Sequence, residues 1–132
     1  MIRDERFDLV VVGGGPAGST CAALVARVGL SVALVEKERF PREKICGDCI
    51  NPRCWEILRL LGAAAAVEAA PHSTVASVRI VGLTGREVIL PLGNAGGGHY
   101  VAIRRGMIDT ILLGQARREG VTVFEGAQLT GL

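Results

Sequence analysis

An α/β fold built on a small parallel sheet is what the sequence predicts, on three observations. Glycine fills 18 of 132 positions, roughly twice its usual share. Aromatic residues make up only 4 % against 49 % apolar residues overall, so the core falls to Val, Ile, Leu and Ala. A β-branched run, a glycine cluster, a helical stripe and a second β-branched run follow one another within the first 36 residues. Buried parallel strands joined by tight backbone turns have this composition.

Asp8 to Val12 is an apolar run of strand length, followed at once by Gly13-Gly14-Gly15-Pro16-Ala17-Gly18. Ala17, Cys21, Leu24, Val25 and Val28 then recur at the spacing of a buried helical stripe, and Gly29 stops that helix. Ser31 to Glu36 reads as a second strand ending in an acid. This is a β–α–β unit, which should be right-handed with parallel strands. Glu38 to Asp48 has neither period and contains the breakers Pro41 and Gly47, so an ordered loop is expected. Asn51-Pro52 reads as an N-cap and first-turn proline opening a helix through about Leu61.

Ala63 to Ala70 is an alanine-rich helix stopped by Pro71. Thr74 to Val81 and Arg86 to Leu92 flank Leu83-Thr84-Gly85 as a hairpin, and the cluster from Gly93 to Gly98 reads as a solvent-exposed loop. Arg105 to Glu119 is a helix stopped by Gly120. Val121 to Phe124 is a third strand, expected beside Ser31 to Glu36. The expected whole is a Rossmann-like half-sheet, parallel and in the order 3-2-1, with an inserted β-hairpin.

The net charge of +2 is too small to point to nucleic acid. The start of the chain fits no signal peptide, and no run approaches the ~20 apolar residues of a membrane span. Four cysteines are too few for a disulfide scaffold, which favours a reducing, cytoplasmic setting.

The glycine cluster carries the chemistry. Gly13 permits the turn off the strand, Gly15 clears space for a pyrophosphate, and Gly18 lets the helix pack closely on the sheet. The helix start adds unpaired N–H groups and about half a positive charge. Parallel strands bring Glu36 to the same sheet edge, where its carboxylate can accept hydrogen bonds from ribose hydroxyls. A dinucleotide site follows. Glu36 disfavours a ribose 2′-phosphate by charge repulsion, and the fingerprint alone does not separate NAD from FAD.

The loop does. GGGPAGST, the acid-ended strand and FPREKICGD together resemble the geranylgeranyl-reductase-like group of FAD-dependent oxidoreductases. That group is similar in fold to the para-hydroxybenzoate hydroxylase type and related to flavin-dependent halogenases. Phe40, Pro41, Arg42, Lys44, Cys46 and Gly47 match its loop motif. The resemblance continues through the helix from Asn51 to Gly62 and through Tyr100 to Gly120, where Arg105 and Asp109 fit an arginine-then-acid spacing that Arg104 does not.

The resemblance implies that Gly13, Gly15, Pro16, Ala17, Gly18, Glu36 and Lys37 hold the ADP half of FAD. It implies that the loop of Arg42, Cys46 and Gly47 lies along the ribityl and isoalloxazine. Arg105 would contact the diphosphate side, and a backbone contact to adenine is expected near Ala127. Residues 7–62 and 100–132 would form the nucleotide-binding core, and 72–99 the start of a substrate-side β lobe.

The intact protein would use NAD(P)H or another electron donor to reduce an isoprenoid double bond or act on another hydrophobic small molecule, which leaves room for peripheral membrane contact. An aromatic-hydroxylase-type flavin monooxygenase and a non-catalytic dinucleotide-binding module are the alternatives. The family's second flavin motif, a Gly-Asp pair before a small-residue helix start, is not found, so an amino-terminal part of a longer flavoprotein is expected.

Cys46, Cys49 and Cys54 supply one CxxC and no second pair, with His72 and His99 in other elements, which argues against zinc. Pro52 places the helix start after Cys49, which argues against a thioredoxin-like motif. Cys46 either modulates the flavin or packs as a loop cysteine. Asp48 and Asp109 read as loop and helix-start anchors. No catalytic residue is assigned, because in this class the flavin does the chemistry and the protein orients and tunes it.

Overall fold

A computed structural model describes residues 5–46, 48–94 and 97–131. The first strand, β1 (Leu9–Val12), leads through the glycine cluster into α1 (Pro16–Arg27), which returns to β2 (Val32–Glu36). Gly29 closes this helix at φ +92°, a conformation that costs a glycine little. After the loop come β3 (Cys49–Ile50), α2 (Cys54–Leu61), α3 (Ala64–Ala69) and β4 (Ser73–Thr74). The hairpin strands are β5 (Ser77–Val81) and β6 (Glu87–Pro91). A short β7 (Val101–Ala102) then enters α4 (Arg105–Arg118), and β8 (Thr122–Glu125) follows.

The main sheet runs β1-β2-β8, all parallel, which is the expected third–second–first order. Val12 pairs with Val35, and Glu36 with Glu125. The carboxyl ends of all three strands therefore meet at one edge. In open α/β sheets that edge is where ligands bind.

Helices α1 and α4 carry the main core. Ala22, Ala23, Leu112, Leu113 and Ala116 are buried with Leu34 of β2, and Trp55, Leu58, Leu61 and Val67 extend the cluster through α2 and α3. Small residues on α1 let the helices approach closely, and burial of this aliphatic set is the main stabilising contribution. Arg27 at the end of α1 ties three elements together. It donates to the carbonyls of Leu60 and Leu61 and pairs with Glu119 at 2.5 Å. On β1, the edge strand, Val10 and Val12 remain exposed.

Three expectations need correction. The helix after Asn51 begins at Cys54, because Asn51 Oδ1 accepts from the Arg53 N–H at 2.9 Å and forms a turn before the helix starts. The run from Thr74 to Val81 divides: Ser73–Thr74 pairs antiparallel with β7, which also pairs with β3, while Ser77–Val81 pairs with β6 in a separate two-stranded sheet. The glycine stretch before Tyr100 is not solvent-exposed throughout. Gly98 is buried, and a Cβ there would lie 2.4 Å from both the Pro52 carbonyl and the Trp55 ring. Trp55 also stacks on His99 and donates to its carbonyl at 2.7 Å.

Among the described residues, no helix is long and apolar enough to cross a membrane.

Candidate functional site

The turn after β1 is held from both sides. Gly13 adopts φ +105°, and its N–H donates to the Val35 carbonyl at 2.8 Å. The Gly14 N–H donates to Glu36 Oε2 at 2.7 Å, and the Gly14 carbonyl accepts from Ser19 Oγ at 3.1 Å. Gly18 lies against Gly13 so closely that any side chain would meet the backbone. Gly15 caps α1 in an extended conformation. Among the described residues no side chain caps that helix start and no acid occupies its first turn, a helix start suited to an anion.

Glu36 is 6 % exposed. Its second oxygen accepts from the Glu38 N–H at 3.0 Å, and Arg42 lies 3.8 Å from the first. Burial pushes the Glu36 carboxyl up, but the N–H groups of Glu38 and Gly14 and the charges of Arg42 and Lys37 outweigh it. The group sits below its ordinary value and is ionised at neutral pH.

Arg42 comes from the loop after β2, and Arg105 opens α4. Arg105 Nε pairs with Asp109 Oδ1 at 2.6 Å, and Arg42 reaches Asp109 Oδ2 at 3.2 Å. A Cβ placed on Gly15 would lie 3.2 Å from the Arg105 guanidinium and 3.6 Å from that of Arg42, so both cations border the glycine turn. Asp109 raises the Arg105 pKa most, burial opposes it, and a hydrogen bond to Cys46 adds to the rise. Arg42 Nε is buried and has no hydrogen-bond partner among the described residues. A buried guanidinium donor left open beside helix N–H groups suits an anionic oxygen.

Three cavities adjoin along this edge. The middle one, about 290 Å³, is lined by Gly13, Gly15, Pro16, Ala17 and Gly18 with Glu36, Lys37, Arg42, Lys44 and Arg105. On one side, a cavity of about 220 Å³ shares Gly13, Glu36 and Lys37 with it and is bordered by Ala127 to Leu129. On the other side, an apolar cavity of about 340 Å³ shares Pro16, Ala17 and Arg105. Cys46, Cys49 and Cys54 line that third cavity with Ile50, Ile57 and Ile108.

A dinucleotide has these proportions: a base and ribose, a diphosphate, and a second ring system. Along residues 6–132 the chain matches the model of the FAD binding domain. The chain belongs to the FAD binding domain family. FAD is its cofactor.

Relatives of this FAD-binding chain include a tryptophan 2-halogenase from Chondromyces crocatus, 40 % identical over 124 residues, covering 94 % of this chain and 23 % of the halogenase. A menaquinone reductase from Mycolicibacterium smegmatis is 52 % identical over 61 residues, covering 46 % of this chain and 15 % of the reductase. Among solved structures, the myxobacterial chondrochloren halogenase superposes with a TM-score of 0.80 at 31 % identity, covering 90 % of this chain and 28 % of that one. A geranylgeranyl bacteriochlorophyll reductase-like protein from Thermoplasma acidophilum gives 0.72 at 26 % identity, covering 95 % and 31 %. The chain thus spans under a third of the length of each of these proteins.

The structure brings Gly13, Gly15, Pro16, Ala17, Gly18, Glu36, Lys37, Arg42 and Arg105 to one cavity, with Cys46 and Ala127 at its two neighbours. The Ala127 N–H is already used, donating to the Glu36 carbonyl at 3.0 Å. Arg104 is exposed, and Gly47 lies outside the described residues.

Asp48 anchors the start of α4 from outside the helix, accepting from the Arg105 N–H at 3.0 Å. Sequence reasoning passed over three supports. Ser19 pins Gly14, and its signal was a hydroxyl one position past the fingerprint. Gly106 lets α4 meet the loop, since a Cβ there would lie 2.8 Å from the Arg42 carbonyl. Glu125 accepts from the Phe40 N–H at 2.8 Å, and nothing local in the sequence signals that contact.

Proposed function

We propose that this chain is the FAD-binding portion of a flavin-dependent oxidoreductase of the geranylgeranyl-reductase type, whose intact form acts on a hydrophobic small molecule. The observation that carries this reading is the row of three cavities, polar at the glycine turn and apolar beside Cys46. The N–H groups at the start of α1 and the guanidinium groups of Arg42 and Arg105 bind the diphosphate. Glu36 accepts from ribose hydroxyls while Lys37 borders the same cavity, and backbone near Ala127 meets the adenine. The loop through Arg42 and Cys46 would border the flavin half of the cofactor, and the apolar walls of the third cavity would exclude water there. FAD, when bound, supplies the electron transfer, with NAD(P)H or another donor as the source of electrons.

The FPREKICGD loop and the 52 % identity to menaquinone reductase support the reductase type. Residues 72–99, with a β5–β6 hairpin exposed on both faces, fit the start of a substrate-side lobe joined to the nucleotide core of 7–62 and 100–132. A second reading is a flavin-dependent halogenase or monooxygenase, favoured by the 40 % identity to the tryptophan 2-halogenase over 94 % of this chain.

Titration of the purified chain with FAD, followed by flavin absorbance and fluorescence, tests the cofactor site; no binding would sink the proposal. For the intact protein, donor-dependent reduction of a hydrophobic alkene or quinone without oxygen supports the reductase. Product that requires oxygen, with or without halide, supports the second reading.

A further inference from the structure

Asp109 is fully buried at 0 % exposure and lies one turn into α4, four residues after Arg105. Its two oxygens face two arginines from different elements. Oδ1 takes Arg105 Nε at 2.6 Å, and Oδ2 lies 3.2 Å from an Arg42 terminal nitrogen. The Arg42 contact is close in distance yet poor in direction, because neither Asp109 Oδ2 nor Arg42 Nε has a hydrogen-bond partner among the described residues. Arg42 is therefore held by charge while its directional donor stays open. The termini of both guanidiniums lie within 3.6 Å of a single point, the position a Cβ would take on Gly15.

Other charged groups border this cluster: Lys37 and Lys44 line the same cavity, and Asp48 accepts from the Arg105 N–H. Glu36 lies 3.8 Å from Arg42 but has both oxygens engaged by backbone N–H groups. Cys46 shares Arg105. Among the described residues, Asp109 alone ion-pairs with both arginines. Without it, two like charges would sit side by side in a partly buried space and would repel or swing outward.

We propose that Asp109 is a positioning residue that holds Arg42 and Arg105 together as a two-guanidinium clamp over Gly15, selective for the diphosphate of a dinucleotide. The inference rests on the FAD-binding reading above. The clamp makes an unusual prediction about sign. An acid near a bound anion ordinarily weakens binding, so its neutralisation should strengthen it. A positioning role reverses that order, because the arginines lose their common brace.

The test compares ADP with adenosine, competed against FAD on the full chain, for the unaltered protein and for Asp109→Asn. The expected result is ADP binding weakened on the order of 10- to 100-fold, with adenosine binding unchanged. Unchanged or tighter ADP binding overturns the proposal, as does an equal loss for both ligands, which marks a general packing role. Should Asp109→Asn not fold, Arg42→Gln on the loop must show the same diphosphate-selective loss, and its absence overturns the clamp. Where both variants fold, their double variant should bind ADP no worse than the weaker single one, because the pair acts as a unit; additive losses overturn the shared brace. Failure of the unaltered chain to bind FAD or ADP removes the underlying reading and the clamp together.

Discussion

A Cβ on Gly18 would stand 1.9 Å from the carbonyl oxygen of Gly13. The clash is with backbone, so no side-chain rotation relieves it. Gly18→Ala must push α1 away from β1 and open the turn between them. The expected cost is about 1–3 kcal/mol or more, typical of overpacking in a closed space. Urea unfolding monitored by circular dichroism reads this as a lower midpoint, accompanied by loss of FAD binding.

Gly15 offers the contrasting case. Its neighbours there are the side-chain ends of Arg105 and Arg42, at 3.2 and 3.6 Å, and not backbone. Gly15→Val should leave the unfolding midpoint near that of the unaltered chain and abolish FAD binding by filling the space of the diphosphate. Tight binding by this variant refutes the placement of the phosphates.

Glu36 links the site to pH. Its carboxyl is depressed below 4.5 in the folded chain, so the folded state binds fewer protons there than the unfolded state as the pH falls. That stability is fully present above about pH 4.5 and is lost as the pH drops through the folded value. Unfolding free energies measured from pH 7 to pH 3 should fall less steeply for Glu36→Gln than for the unaltered chain. Glu36→Ala should weaken FAD binding by about 1–3 kcal/mol, the worth of a charged acceptor; equal affinity removes Glu36 from the site.

Trp55 provides a probe of a third glycine, Gly98. It is the chain's single tryptophan and is packed beneath Gly98. Gly98→Ala should displace the indole from His99, lowering stability by about 1–3 kcal/mol and shifting its emission to the red. An unmoved emission maximum would show that the loop accommodates the methyl group.

The parts of this fold that are legible in the sequence are those governed by local rules. The β1–α1–β2 unit, the stop at Gly29 and the α4–β8 pair follow from periodicity and glycine conformation, and all appear in the structure. The pairing of Cys49–Ile50 and Ser73–Thr74 with Val101–Ala102 was not legible, because two-residue strands carry no period and their partners lie far apart in the chain. The burial of Gly98 was hidden for the same reason: a glycine-rich stretch looks like an exposed loop until Trp55 lies against it. In the site, the residue types at the glycine turn were legible, whereas the Arg42–Asp109 contact joins a loop to a helix and leaves no local trace.

Glu36 accepts the Gly14 N–H at 2.7 Å and the Glu38 N–H at 3.0 Å, so one carboxylate shapes the turn on one strand and the exit from another. If Glu36 also holds a ribose, as proposed, nucleotide preference and architecture are coupled at this position. Replacing the acid to admit a 2′-phosphorylated cofactor would also take from the Gly14 N–H its acceptor. A successful redesign must first supply Gly14 with another acceptor and only then alter the charge.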